Sequence, residues 1–120
     1  MQIKNLPLAD LSVNSANDRH GELADEQAAI EWLLTHRAAH MRNLTKDIVA
    51  EGRIYEPPLV HEDGDRYVVY DGNRRITSLK LLAEPERAPS KEWADFFSAR
   101  RSEWNCEFPK KVQCNVEPDR

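Results

Sequence analysis

Apolar residues recur at helical spacing in the segment DEQAAIEWLLTHRAAHM, residues 25–41. The apolar positions that share one helical face are Ala29, Ile30, Leu33 and Leu34. Acidic residues come first in this segment and basic residues come last, which suits the helix macrodipole. The pattern predicts one amphipathic helix over the whole segment.

A second helix is predicted over residues 44–51, because both of its ends carry boundary signals. Asn43 or Thr45 can cap the start, and Gly52 can adopt the left-handed conformation that ends a helix. The two prolines at 57 and 58 then exclude further helix.

Four runs predict strands. Residues 59–62 and 66–70 flank a Gly-containing turn and predict a hairpin, and the YVVY of the second run is expected to be well buried. Residues 3–13, interrupted by Pro7, predict a short edge strand that leads into a turn. Alternating Val112, Cys114 and Val116 predict a final strand.

Two more helices follow from the pattern. The residues after YVVY read DGNRRITSLKLL, which is typical of a strand, a glycine turn and a helix in direct succession. Ser90 can cap a further amphipathic helix. Its aromatic residues are Trp93, Phe96, Phe97 and Trp104, and their helical spacing favours core packing over base stacking.

Composition narrows the class of protein. A chain of 120 residues with 40% hydrophobic and 32% charged residues is typical of one soluble globular domain. The mean hydropathy is −0.73, no apolar run approaches the roughly 20 residues of a membrane span, and the start is polar. We therefore expect a cytoplasmic protein without a membrane partner.

The net charge and the cysteine spacing argue against an autonomous DNA-binding domain and against a disulfide framework. The net charge of −4 argues against an autonomous DNA-binding domain, so any anion site must be local. Cys106 and Cys114 form no CxxC pair, and we interpret them as free thiols.

The most informative residues are Arg74 and Arg75, which open a predicted helix directly after Gly72. Cations are unfavourable at the positive end of a helix unless an anion is bound there. Backbone N–H groups, a glycine that permits close approach and two guanidinium groups together suit a phosphate. The alternative is that Asp71 caps the helix and pairs with one arginine while the other is solvated.

The arginine pair is part of a longer pattern in the sequence that resembles a known family. The segments that carry it are NDR at residues 17–19, IVAEG at 48–52, PLV at 58–60 and YVVYDGNRRITSLKLL at 67–82. In order and spacing they resemble the N-terminal domain of ParB and the wider ParB/sulfiredoxin-like superfamily. The resemblance covers about residues 1–83, and residues 108–116 are similar to a later strand of that family.

The resemblance implies an α+β fold, a small mixed sheet with surrounding helices, that binds a nucleotide triphosphate at the helix start. In ParB the motif is GERR and the ligand is CTP. Gly72, Arg74 and Arg75 match, whereas Asn73 replaces the glutamate and stands where sulfiredoxins have their catalytic cysteine. The expected ligand is CTP or ATP, with Mg²⁺ held mainly by its phosphates.

Further site residues follow from the same resemblance. Asn17 and Arg19 would close over the nucleotide from the first loop. Asp71 is the candidate catalytic residue of a nucleoside triphosphatase, which is expected to be weak or inactive in this chain because no general base stands beside the arginines.

The family also sets an expectation for the whole protein. ParB proteins continue beyond the last strand with a helix carrying ENxxR and a helix-turn-helix DNA reader, and this sequence stops at Arg120. We expect residues 1–120 to be a single domain and the N-terminal fragment of a longer protein. Its contact with DNA would be indirect, through C-terminal domains or a homodimer.

Other function classes stay open at this point. An interaction module would bind a protein or a DNA backbone through the same turn. A metal-dependent nuclease would need clustered carboxylates, and the candidates are Glu62, Asp63, Asp65 and Asp71. The first three fall at the hairpin tip, away from the next helix. His36 and His40, four residues apart on one predicted helix, are weaker metal candidates, with Cys106 and Cys114 conceivable as further ligands.

Overall fold

A computed structural model gives a mixed α+β fold and describes residues 2–13, 26–54, 56–104 and 107–117. Its strands are β1 (Gln2–Pro7), β2 (Leu11–Ser12), β3 (Leu59–Asp63), β4 (Arg66–Asp71) and β5 (Lys111–Glu117). Its α-helices are α1 (Glu26–His36), α2 (Ala38–Glu51), α3 (Asn73–Ala83) and α4 (Lys91–Ser102). Short 3₁₀ helices lie at Leu8–Asp10 and Pro85–Arg87.

The described strands form one mixed sheet in the order β1-β5-β3-β4-β2. β1 pairs antiparallel with β5 and β3 antiparallel with β4, whereas the β3–β5 and β2–β4 pairs are parallel. The predicted hairpin is confirmed, with each strand one residue longer than expected. Its turn contains Gly64 at φ 65°. β1 lies at an edge of the sheet, as predicted, but the segment predicted as one strand continues through a 3₁₀ helix into β2 at the opposite edge.

The helix predicted over residues 25–41 is in fact two helices. Arg37 has φ −132° and ψ 36°, which ends α1 at His36 and makes Arg37 the N-cap of α2. Each helix thereby directs its own apolar residues into the core, such as Ile30 on α1 and Met41 on α2, both fully buried. Residue 25 lies outside the described residues.

The start predicted for the second helix is wrong and its end is confirmed. Asn43 and Thr45 lie inside α2 and do not cap it, because the helix already begins at Ala38. Gly52 ends α2 in the left-handed conformation, φ 73°, and its N–H donates to the Ile48 carbonyl over 2.8 Å.

One face of the sheet packs against the helices. Val112, Cys114 and Val116 are buried at alternate positions of β5, which confirms the predicted strand. Within YVVY only Val69 is fully buried, and the other three residues are half-buried. The prediction of a well-buried run therefore fails, because successive side chains of a strand point to opposite faces.

The start predicted for the last helix is confirmed. The Trp93 backbone N–H donates to Ser90 Oγ over 3.2 Å, so Ser90 caps α4. Phe97 is fully buried and packs edge-on against Phe96 with their ring centroids 5.2 Å apart. Trp104 lies beyond the end of α4 and is also buried. The aromatic residues therefore pack into the core, as their spacing favoured.

Candidate functional site

Gly72 joins β4 to α3 in a conformation that other residues rarely adopt. It is the N-cap of α3 with φ 100°, in the left-handed region. A β-carbon at this position would lie 3.0 Å from Pro58 Cβ and 3.0 Å from Arg75 Nη2. Both the backbone angle and the close packing therefore require glycine here. The predicted succession of strand, glycine and helix is confirmed.

Asp71 does not cap α3. The N-cap is Gly72 and no side-chain hydrogen bond caps the helix. Asp71 is instead the exposed last residue of β4, opposite Leu59 of β3. Asn73 donates from Nδ2 to the Val69 carbonyl over 3.1 Å. The backbone N–H groups of the first turn of α3 are thus not taken up by a capping side chain.

Arg75 lies folded against the start of its own helix. Its side chain is 23% exposed, and its Nε is buried without a hydrogen-bond partner among the described residues. Nη1 lies 3.9 Å from Oε2 of Glu56, whose side chain is 80% exposed. Such an exposed ion pair is worth at most about 1 kcal/mol. Arg75 therefore retains a buried donor that no described group satisfies.

Arg74 reaches in a different direction, toward α2. Its Nη1 lies 3.4 Å from Nε2 of His40, in the first turn of α2. Because a guanidinium only donates, the contact requires His40 Nε2 to act as an acceptor. The two arginines thus contact different neighbours, Arg74 contacting α2 and Arg75 the segment before β3.

The contacts between α2 and α3 show how the two helices are oriented. Thr45 Oγ1 donates to Ser78 Oγ over 3.0 Å, with both residues fully buried. This pair and the pair His40–Arg74 follow the same order along both helices. The helices therefore run in the same general direction where they touch, and their N-termini lie at the same end. The positive end of the α2 dipole accordingly lies near Arg74, and the positive end of the α3 dipole carries both arginines.

Sequence reasoning missed His40 as a neighbour of the arginines. The sequence offers His36 and His40 only as weak metal candidates on one predicted helix, and the break at Arg37 places the two histidines on different helices. The His36 ring stacks on Trp32 with centroids 4.4 Å apart. No local pattern marks the contact between His40 and Arg74, since 33 residues separate them in the sequence.

The remaining predicted site residues do not converge on this turn. Glu62 and Asp63 end β3 and Asp65 follows in the turn, at the opposite end of β4 from Asp71. Within the described ranges, no three His, Cys, Asp or Glu side chains are grouped as a metal site. Asn17 and Arg19 lie outside the described residues.

The one cysteine that the structure describes is buried and has the features of an unreactive thiol. Cys114 is a free thiol, fully buried, and its Sγ donates to the Val112 carbonyl over 3.3 Å. Burial raises the pKa of this thiol to about 11. Cys106 lies outside the described residues.

A partly buried charge cluster holds α3 through Lys80, the one fully buried member. Glu26 accepts the Val13 backbone N–H over 2.6 Å, and its carboxylate lies 3.5 Å from Lys80 Nζ and 3.0 Å from Arg87 Nη2. Burial alone would raise the pKa of Glu26, but the Val13 hydrogen bond and the two cations together hold it below its usual value. Burial also lowers the pKa of Lys80, against the opposing effect of Glu26.

Comparisons with known proteins assign the chain to no family. No family model matches the sequence, and neither a curated protein nor a solved structure matches the chain. The resemblance to the ParB/sulfiredoxin superfamily therefore stays a prediction, and the site must be judged on its own geometry. In the part of the chain that the structure describes, no helix is long and apolar enough to cross a membrane.

Proposed function

We propose that the chain binds the phosphates of a nucleoside triphosphate at the start of α3. The observation that carries this proposal is the buried Nε of Arg75, which has no partner among the described residues at an uncapped helix start. A buried donor without an acceptor costs about 1–3 kcal/mol, and a phosphate oxygen at the helix start would satisfy it once the Arg75 side chain turns outward. Arg74 lies in the same turn of α3 and would have to turn from His40 toward the helix start to add a second guanidinium.

The geometry suggests how such an anion would be held. Backbone N–H groups at an uncapped helix start point at a bound anion, and Gly72 lets it approach the backbone. A guanidinium can hold two phosphate oxygens in bidentate geometry. The carboxylate of Glu56 would give up its long, exposed contact with Arg75 at little cost. His40 supports Arg74 from the neighbouring helix.

The identity of the ligand beyond its phosphates rests on the family resemblance. It favours CTP or ATP, with Mg²⁺ held mainly by phosphate oxygens, since the described residues offer no ready-made carboxylate cluster. Asp71 is the candidate for water activation in a nucleoside triphosphatase. A contact with DNA would be made through further domains or a second copy, and the domain would function inside the cell.

Calorimetric titration with CTP, ATP, GTP and pyrophosphate tests the proposal. The expected result is binding by the parent chain and loss of about tenfold to a hundredfold in affinity for Arg74→Ala and for Arg75→Ala. Arg100→Ala is the matched control, because Arg100 sits in α4 and pairs with Glu103. Equal affinity in the parent and in the double variant Arg74→Ala, Arg75→Ala would overturn the assignment.

The rival function is an interaction module that binds a DNA backbone through the same positive helix ends. Two guanidinium groups beside two helix N-termini suit any phosphate, including those of a duplex. Binding to duplex DNA without binding to mononucleotides or pyrophosphate would favour the rival. The reverse result would favour the nucleotide site.

A further inference from the structure

The hydrogen bonds between β3 and β5 stop at a proline. The Asn115 backbone N–H donates to the Pro58 carbonyl over 2.9 Å, on the side of β5 that faces away from β1. Because backbone groups of successive strand residues point to opposite sides, Gln113 directs its N–H and C=O to the same side as Asn115. Pro58 has no N–H to donate to Gln113, and the pairing begins only at Leu59. Among the described residues, no backbone group bonds to Gln113 on this side.

A cavity of about 180 Å³ lies on that same side of β5. Gln113 and Pro57 both line it, and Pro57 directly precedes the residue that bonds to Asn115. The N–H and the C=O of Gln113 therefore border the cavity. Together they offer one hydrogen-bond donor and one acceptor side by side.

The inner wall of the cavity is apolar. Leu79 and Val112 are buried there, and Ile54, Pro57 and Pro109 form the half-buried sides. An apolar cavity of about 150 Å³ accepts a benzene ring. The cavity therefore has room for one six-membered ring with a small substituent, and not for a whole nucleotide.

The charges at the mouth of the cavity favour neither an anion nor a cation. The exposed side chains of Lys111 and Glu107 carry opposite charges, and Arg53 already has an interaction partner. Burial of an ion against the apolar inner wall would be costly. The cavity therefore suits an uncharged ring.

We infer that this cavity is a second binding site, for a small uncharged cyclic amide whose ring enters the apolar part while its amide edge bonds to the backbone of Gln113. The N–H of such a ring would donate to the Gln113 C=O, and its carbonyl would accept from the Gln113 N–H. Paired residues of antiparallel strands match their backbone groups in the same reciprocal way. The inference goes beyond the phosphate site and does not rest on it, since neither Arg74 nor Arg75 lines the cavity.

Titration of the whole chain followed by amide NMR shifts tests the inference, with 5-methyl-2-pyridone as the probe. Its isomer N-methyl-2-pyridone has the same atoms, but the methyl group replaces the amide hydrogen. We expect the probe to bind with a Kd on the order of 1 mM and to shift the Gln113 amide most. The isomer should bind about tenfold more weakly, because it leaves the Gln113 C=O without a donor. Equal Kd values for the two isomers, or an unshifted Gln113 amide, would overturn the inference.

Variants locate the site independently. Ile54→Trp fills the cavity from its half-buried side and should abolish binding of 5-methyl-2-pyridone. Gln113→Ala removes the side chain and keeps the backbone groups, so its Kd should equal that of the parent. Lys111→Gln should also leave the Kd unchanged, because the ligand is uncharged.

Three outcomes with these variants would contradict the inference. They are binding that survives in a folded Ile54→Trp protein, loss of binding in Gln113→Ala, and a Kd that changes in Lys111→Gln. The comparison of the two isomers on the parent chain decides the inference even if Ile54→Trp does not fold.

Discussion

Gly72 and Pro58 pack so closely that a β-carbon on Gly72 would lie 3.0 Å from the β-carbon of Pro58. The contact joins the residue that leads into β3 to the residue that starts α3. It brings Glu56, two positions before Pro58, to Arg75 on the first turn of the helix. The shape of the candidate phosphate site thus depends on one glycine and one proline, 14 residues apart in the sequence.

Gly72→Ala should destabilise the protein more than Gly64→Ala. Both glycines have positive φ, so alanine is strained at each by about 1–2 kcal/mol. Only at Gly72 does the added β-carbon meet other atoms, whereas the β-carbon at Gly64 would meet none within 4 Å. Urea unfolding of the two variants measures the difference. Equal free energies of unfolding would show that the packing against Pro58 is looser than described.

Glu26→Gln should lower the free energy of unfolding by about 3 kcal/mol, because it leaves the buried cation of Lys80 without its carboxylate. Asp95→Asn is the matched control, since Asp95 pairs with Lys91 on the exposed face of α4. The control should change stability by no more than about 0.5 kcal/mol. Similar losses in both variants would mean that the Glu26 cluster contributes no more than a surface pair.

Acid should destabilise the parent protein partly through Glu26. The folded state holds the pKa of this carboxyl below its ordinary value of 4.5, so the carboxylate contributes stability at pH values above that value. This contribution is lost as the pH falls below 4.5 toward the folded pKa. Thermal unfolding from pH 7 down to pH 3 should therefore show a smaller loss of stability in Glu26→Gln than in the parent. Parallel curves would contradict the direction of the shift.

Duplex DNA should bind weakly to residues 1–120, with no sequence preference. Phosphate contacts alone carry no sequence information, and the net charge is −4. If Arg74 and Arg75 each neutralise one phosphate, the logarithm of the binding constant should fall with the logarithm of salt concentration at a slope of about −2. Fluorescence anisotropy at several salt concentrations measures the slope. Sequence-specific binding at physiological salt would contradict this prediction, because it requires contacts with base edges that phosphate binding does not supply.

Nucleotide turnover by residues 1–120 should be absent or very slow. Phosphoryl transfer needs a positioned water and charge stabilisation around the γ-phosphate, and Asp71 is an exposed strand-end residue without a described base beside it. Phosphate release from CTP and ATP should therefore be close to background and should not change in Asp71→Asn. Brisk release that Asp71→Asn abolishes would show that the site is catalytically complete.

The sequence by itself determined the elements that depend on local physics. The hairpin around Gly64, the left-handed end of α2 at Gly52, the Ser90 cap and the glycine start of α3 all follow from backbone preferences that neighbouring residues set. The alternation of apolar residues in β5 likewise identifies the buried face of that strand. The same local signals predicted one helix where there are two, because the helical pattern continues past Arg37 and does not show where the chain must turn.

Only the tertiary structure decided which groups meet at the candidate site. The shared direction of α2 and α3, the contact of Arg74 with His40 and that of Arg75 with Glu56 join residues that are 19 to 34 positions apart. The strand order depends on still more distant residues, since β1 and β5 pair from opposite ends of the chain. The same holds for Glu26, Lys80 and Arg87, which a sequence pattern gives no reason to group. Side chains distant in sequence come together because the core must bury its apolar faces, and the polar partners are fixed by that packing.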